Sequence, residues 1–328
     1  MNFMRQEIPA QGVFSLCWEE DHLVDWVGGG NRFFLDGKIV ERSVNYAYRF
    51  DSAKISQSGT YAAIYEKTGT KGLLLKNGDI LREFNRSFYQ ADRYEYPIAF
   101  AVLPDGREAL IHCPEEYNRI DIEEVESGKR LTDSVERNPS DFFHSRLAIS
   151  PKGKFLISAG WIWHPVDSLR LWNLEEVLAD PTKLDGDTFG FEESLEDYFW
   201  DCTAAAFLGE DRLILGLGAD WEEIPEPFRL VLCETNNAKP IHSVNVSRQT
   251  GTLFAVDANH VVAFYGSPRL LEISTGKDVH EWPDLKTGEQ RSSIFPFRFG
   301  ALPPLALHPS RPMFAVADKE KITIINFE

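Results

Sequence analysis

Cysteine is scarce in this chain of 328 residues: Cys17, Cys113, Cys202 and Cys233 stand alone, and no two form a CxxC pair. Isolated thiols inside or beside apolar patterns suit a reducing compartment, so a cytoplasmic location is expected. Long apolar runs are missing. No stretch approaches the roughly 20 residues that cross a bilayer, and the start, MNFMRQEIPAQ, carries no apolar signal segment, so no membrane partner is expected. Positive charge is short: 34 Lys and Arg against 51 Asp and Glu leave −17. Phosphate binding needs the opposite sign, which argues against a nucleic-acid partner. Catalytic signatures are absent too, with no GxSxG, no GxxxxGK followed by Ser or Thr, and no HExxH. The eight histidines are scattered, so no catalytic residue, metal or cofactor is assigned. Gly28-Gly29-Gly30-Asn31 lies between two expected strands and reads as a hairpin turn. Asp185-Gly186-Asp187 begins like a calcium loop, but the remaining ligand spacing fails.

What the chain has is a repeat. A short turn followed by an apolar run occurs seven times, most clearly in SPKGKFLISAG from Ser150 to Gly160. With turn centres at Asp21, Gly59, Gly106, Gly153, Asp211, Asn259 and Arg311, the gaps are 38, 47, 47, 58, 48 and 52 residues. Strands repeating at that period predict an all-β, seven-bladed β-propeller. The second strands are apolar at consecutive positions, as in Leu213, Ile214 and Leu215, which fits a sheet covered on both faces. A second turn follows in several copies, at Asp36-Gly37-Lys38, Asn77-Gly78-Asp79, Ser127-Gly128-Lys129 and Thr275-Gly276-Lys277. Two hairpins per copy make a four-stranded blade. The blades are expected at 12–42, 50–86, 96–132, 144–193, 201–246, 251–282 and 304–328 of one domain spanning 1–328.

SLRLWNLEE, from Ser168 to Glu176, resembles the third strand of a WD40 repeat, with Trp172-Asn173 in place of Trp-Asp. LLEISTGKDV from Leu270 and KITIINFE from Lys321 are similar in pattern. The chain thus resembles a degenerate WD40 propeller. It lacks the family's Gly-His dipeptide and the Asp that would complete a hydrogen-bonded tetrad. The resemblance implies a protein-binding scaffold rather than an enzyme. The last copy stops after its third strand, so residues 5–11 are expected to supply the outer strand of the last blade and leave no open edge.

Charge and aromatic residues concentrate in one sector. Between Glu175 and Glu223 fifteen acidic residues face only Lys183 and Arg212. Glu175 to Ala179 reads as a short helical turn stopped by Pro181. Expected loops of blades four and five hold Trp161, Trp163, His164, Tyr198, Trp200, Trp221, Glu222 and Glu223. Aromatics in loops either plug gaps between blades or form a contact patch. As a patch, aromatic inside and acidic at the rim, they would bind a basic protein, with the chain a monomer by itself. A narrower version is an antitoxin that neutralises a basic toxin. A rival reading is a small-molecule hydrolase or lyase at the channel mouth, where Arg49, Asp51, His144, Arg146, Asp201 and Arg298 either converge into a pocket or pair along a wet channel.

Overall fold

The computed structural model describes residues 2–42, 44–163, 166–186, 201–218, 227–294 and 302–328. Among them are seven antiparallel sheets, each built mainly from one copy of the repeat. All seven turn centres fall between the first and second strands of a sheet, as at Gly153 between Leu147–Ile149 and Phe155–Ile162. Positive φ at Gly59, Gly106 and Gly153 explains why that residue type recurs there.

The ring follows from where the apolar residues go. Seven buried clusters each join two consecutive blades, the last joining blade seven back to blade one. Leu213, Leu215 and Leu217 of blade five pack toward blade four, while Ile214 packs toward blade six. Consecutive apolar positions therefore serve two different interfaces, which explains the unbroken apolar runs.

Five sheets carry four strands, and two carry three among the described residues. In blade three the outer position is reduced to a single bridge, Glu123 to Arg130. Blade four's third strand, Val166–Asn173, runs into a helix over Leu174–Ala179. Asn173 caps that helix by accepting from Glu175 N at 3.1 Å, Val177 is buried, and a 3-10 turn begins at Pro181.

Phe3–Pro9 closes the ring by pairing antiparallel with Lys321–Phe327, from Phe3 opposite Phe327 to Pro9 opposite Lys321. The strand sits closer to the N-terminus than the expected 5–11. Past Pro9 one more backbone bond follows, from Ala10 N to Glu320 O at 2.9 Å, and Gly12, at φ 65°, already belongs to the connection into blade one. Ile8 is fully buried between blades seven and one.

Deleting residues 1–10 should sharply lower the melting temperature, because it exposes the edge of Lys321–Phe327. Ile8→Ala, which keeps the strand, should cost about 2–5 kcal/mol in urea unfolding. Melting and unfolding curves that match wild type in both variants would contradict closure by this strand.

Candidate functional site

The two faces of the ring are built differently. On the side of the first turns, side chains latch neighbouring blades together. Ser58 donates to Glu108 at 2.9 Å, Ser150 to Glu210 at 2.6 Å, and Arg311 reaches Glu20 O at 3.1 Å and the Asp21 carboxylate. Lys76 and the Tyr61 hydroxyl meet on Glu126. These turns are occupied with holding the ring shut.

The opposite side, where each blade hands the chain to the next, carries an eighth apolar cluster, separate from the seven that fill the blade interfaces. It contains Tyr94, Phe143, Trp161 and Ile294, with Tyr117 packed against it. Phe143 stacks on Trp161 at 3.8 Å between ring centroids and on Tyr117 at 4.4 Å, and Tyr89 lies 5.0 Å from Tyr117. Trp163 stands edge-on to both Phe143 and Trp161 at 5.4 Å. The column rises from buried Trp161, 3% exposed, to Tyr89 and Trp163, 42% and 43% exposed, with Phe88 beside it at 86%. The Tyr117 hydroxyl donates to Asp141 at 2.8 Å. Burial, together with that carboxylate, pushes the Tyr117 phenol up to about 12, so it keeps its proton at neutral pH and can donate.

The expected partner-binding residues therefore divide. Trp161 is not in a loop: blade four's second and third strands extend to Ile162 and from Val166, and Trp161 pairs with Asp167 inside the ladder. Its backbone also exchanges hydrogen bonds with Phe143, and the stack on that ring buries its indole. Trp163 follows the strand end at Ile162 and is exposed. His164, Tyr198, Trp200, Trp221, Glu222 and Glu223 lie outside the described residues. Phe88, Tyr89, Tyr117 and Asp141 complete the surface and escaped the sequence reading. The signal was present in Phe88-Tyr89, an aromatic pair inside the polar run Asn85 to Asp92.

The expected channel residues that the structure describes lie in three places. Arg49 and Asp51 are exposed at the entrance to blade two, and Asp51 accepts from Lys67 N at 2.7 Å. His144 is buried between blades three and four. Its Nδ1 lies 3.2 Å from Ser158 Oγ, its Nε2 3.1 Å from Asn118 O, and its ring 5.7 Å from Trp172. Arg146 and Asp201 do come near one another, since Arg146 donates to Thr203 O and Asp201 precedes that strand, Cys202–Leu208. Arg298 lies outside the described residues.

A strap also leaves blade six and reaches blades four and three on this side. Gly288 O accepts from Gly266 N at 2.8 Å on blade six, whereas Ser293 reaches blade four and Ile294 bridges to Tyr94 ahead of blade three. Blades six and three stand nearly opposite in a seven-membered ring. Six residue steps span at most about 20 Å, so the run from Gly288 to Ile294 is an extended tie from blade six to the upper ends of blades four and three. Buried Asp167 bolts it down, accepting from Ser293 N at 2.7 Å and from the Ser293 hydroxyl. Burial raises the Asp167 pKa, while Arg146 and these serine donors oppose the rise. Two open depressions of about 640 and 480 Å³ flank the base of the strap, and none of the expected channel residues lines either.

The glycine run does form a hairpin turn. Its Gly28 N–H points at Asp25, whose buried carboxylate also takes Phe14 N, Ser15 N and Ser15 Oγ at 2.8–2.9 Å, so an anion is already in place. Asp185 is likewise committed, accepting from Arg137 and from Asn138 N. Among the described residues no cluster of His, Cys, Asp and Glu could hold a metal ion. The four cysteines are buried free thiols, and burial pushes the Cys17, Cys202 and Cys233 thiols up to about 12. Among the described residues no helix is long and apolar enough to cross a membrane.

No known family's sequence profile matches the chain, and no curated protein matches it in sequence. Solved structures with this shape are numerous, with 1087 matching chains, so the shape by itself does not select a function. One of them, a chain in a crystal structure of the mitotic checkpoint complex, superposes with a TM-score of 0.61 at 12% identity, covering 99% of this chain and 91% of that one. The likeness is one of fold.

Burial, with Arg170 nearby, lowers the His144 pKa from 6.5 to about 3. Folding therefore holds this ring neutral, and the unfolded chain takes up a proton first as pH drops. Stability from this group is present above pH 6.5 and lost on the way to about pH 3. The wild-type melting temperature should accordingly fall more steeply between pH 7 and pH 5 than that of His144→Gln. Parallel curves would contradict the assignment.

Proposed function

We propose that this chain is a non-catalytic, WD40-like interaction scaffold, and that it binds a basic protein partner through the face carrying the strand-to-strand and blade-to-blade connections. The observation that carries the reading is the leftover cluster. Seven apolar clusters build the seven blade interfaces, and an eighth lies apart from them at the ends of blades three and four, where its stack continues into exposed rings. Its rings reach solvent at Tyr89 and Trp163, where a loop packed only for stability would bury them. Phe14, Val44 and Tyr48 are also exposed in connections on this face.

Partner polarity follows from charge. The chain carries −17 overall, with the excess concentrated between Glu175 and Glu223, so a basic surface is steered toward it and an acidic one repelled. Trp221, Glu222 and Glu223 of that sector are proposed to extend the contact from blade four to blade five, with Tyr198, Trp200 and His164 beside them. The structurally similar chain comes from an assembly of proteins, which agrees with a scaffold role. A catalytic alternative at the channel mouth has less support, because Arg49 and Asp51 are exposed at blade two while His144 is buried between blades three and four.

Affinity capture from the native lysate tests the proposal, comparing wild type with Trp163→Ala/Trp221→Ala at low and high salt. Wild type should retain a basic protein at low salt, and both the double variant and high salt should deplete it. Equal capture by the variant, or no capture by either, would contradict the reading.

A further inference from the structure

We propose that the aromatic platform over blade three, formed by Phe88, Tyr89, Tyr117 and Trp163, is the docking site for an extended, arginine-bearing segment of a partner protein. Asp141 receives the guanidinium and Phe88 is the apolar anchor. This rests on the scaffold reading and names the chemistry of what is bound.

The platform is assembled from three separate connections, and its exposed rings continue inward through Phe143 to buried Trp161. Phe88 is also held in place rather than loosely displayed. Two residues before it, Arg86 is buried and donates to Gly69 O at 2.8 Å, Ala91 O at 2.6 Å and Tyr94 O at 3.1 Å. Its guanidinium lies against the rings of Tyr94 and Tyr96 at 4.7 and 4.8 Å. Arg86 thus grips both ends of the 87–93 loop, and Gln90 turns it through a left-handed conformation at φ 53°. An aromatic presented on a fixed loop gives up little freedom when it is covered, which is the property of a binding hot spot.

Charge selects the occupant. Cations on the segments that carry Phe88, Tyr89 and Tyr117 and on the adjoining turn are paired: Arg93 with Asp92, Arg119 with Asp133, and Arg130 with Glu115. Asp141 accepts the Tyr117 hydroxyl on Oδ1, which leaves Oδ2 for a further donor, and Glu116 is exposed beside Tyr117. The exposed carboxylates of Asp141 and Glu116 and the π faces repel a phosphopeptide or an anionic lipid surface. They suit a guanidinium better than an ammonium, because a planar cation can lie on the Tyr89 face and hydrogen-bond at its edge simultaneously. Phe88 then covers apolar side chains flanking the arginine.

A random dodecapeptide library displayed on phage, selected against the full chain, supplies the probe. The selected peptide is synthesised with its arginine kept, replaced by lysine, or replaced by citrulline, and binding is followed by fluorescence anisotropy. Selected peptides should carry arginine beside apolar residues, and citrulline should weaken binding at least ~tenfold, about 1.4 kcal/mol. Phe88→Ser and Asp141→Asn should each weaken it comparably while leaving the melting curve at the wild-type value, since both side chains face solvent. Selected peptides without arginine, unchanged binding in both variants, or no enrichment would each overturn the proposal. If Trp163→Ala/Trp221→Ala still loses its captured partner in that event, the scaffold reading stands and only this docking chemistry falls.

Discussion

Each blade is a thin sheet with two apolar faces, and neither face can be left to water. Ile214 and Leu215, adjacent in one strand, are both fully buried, yet they belong to different interfaces. No blade can be finished without two neighbours, so the only arrangement that buries every face is a closed ring. Closure is completed by a segment from the other end of the chain. Phe3–Pro9 zips onto Lys321–Phe327, and this one ladder converts the last blade's open edge into an interior position.

A ring held this way has little freedom to reshape its strands for a ligand, so variation is confined to the connections. On one face the connections are short, glycine-bearing and tied across blades by pairs such as Ser150 with Glu210. On the other they are longer and do two different jobs. The strap from Gly288 to Ile294 ties blade six to blade four and is fastened to buried Asp167. The loops around blade three instead gather aromatic rings into a stack whose outer members stay in water. Burying such rings against a partner returns hydrophobic free energy that the free protein leaves unused, whereas the strap has already spent its contacts on the molecule itself.

The ring was legible in the sequence because its signals are local. Gly59, Gly106 and Gly153 recur where a tight turn needs positive φ, and the unbroken apolar runs announce two covered faces. The site was less legible because its members meet only in three dimensions. Trp161 looked like a loop residue, since a shorter hairpin satisfies the same pattern. The extra strand pairs exist because Phe143, from another connection, supplies both backbone hydrogen bonds and a ring to stack on. His144 was placed at the channel because it precedes an inner strand, but Ser158 and Trp172 draw it into the seam between blades. Asp141 carried no signal of its own, because its meaning depends on Tyr117, which is distant in sequence.

Hydrogen–deuterium exchange of the full chain, with and without its captured partner, tests the account most directly. The account predicts slowed exchange in 86–96, 113–120, 140–146 and 160–166, with the first turns of the blades unchanged. Protection confined to those first turns, or to the outer strands, would contradict it.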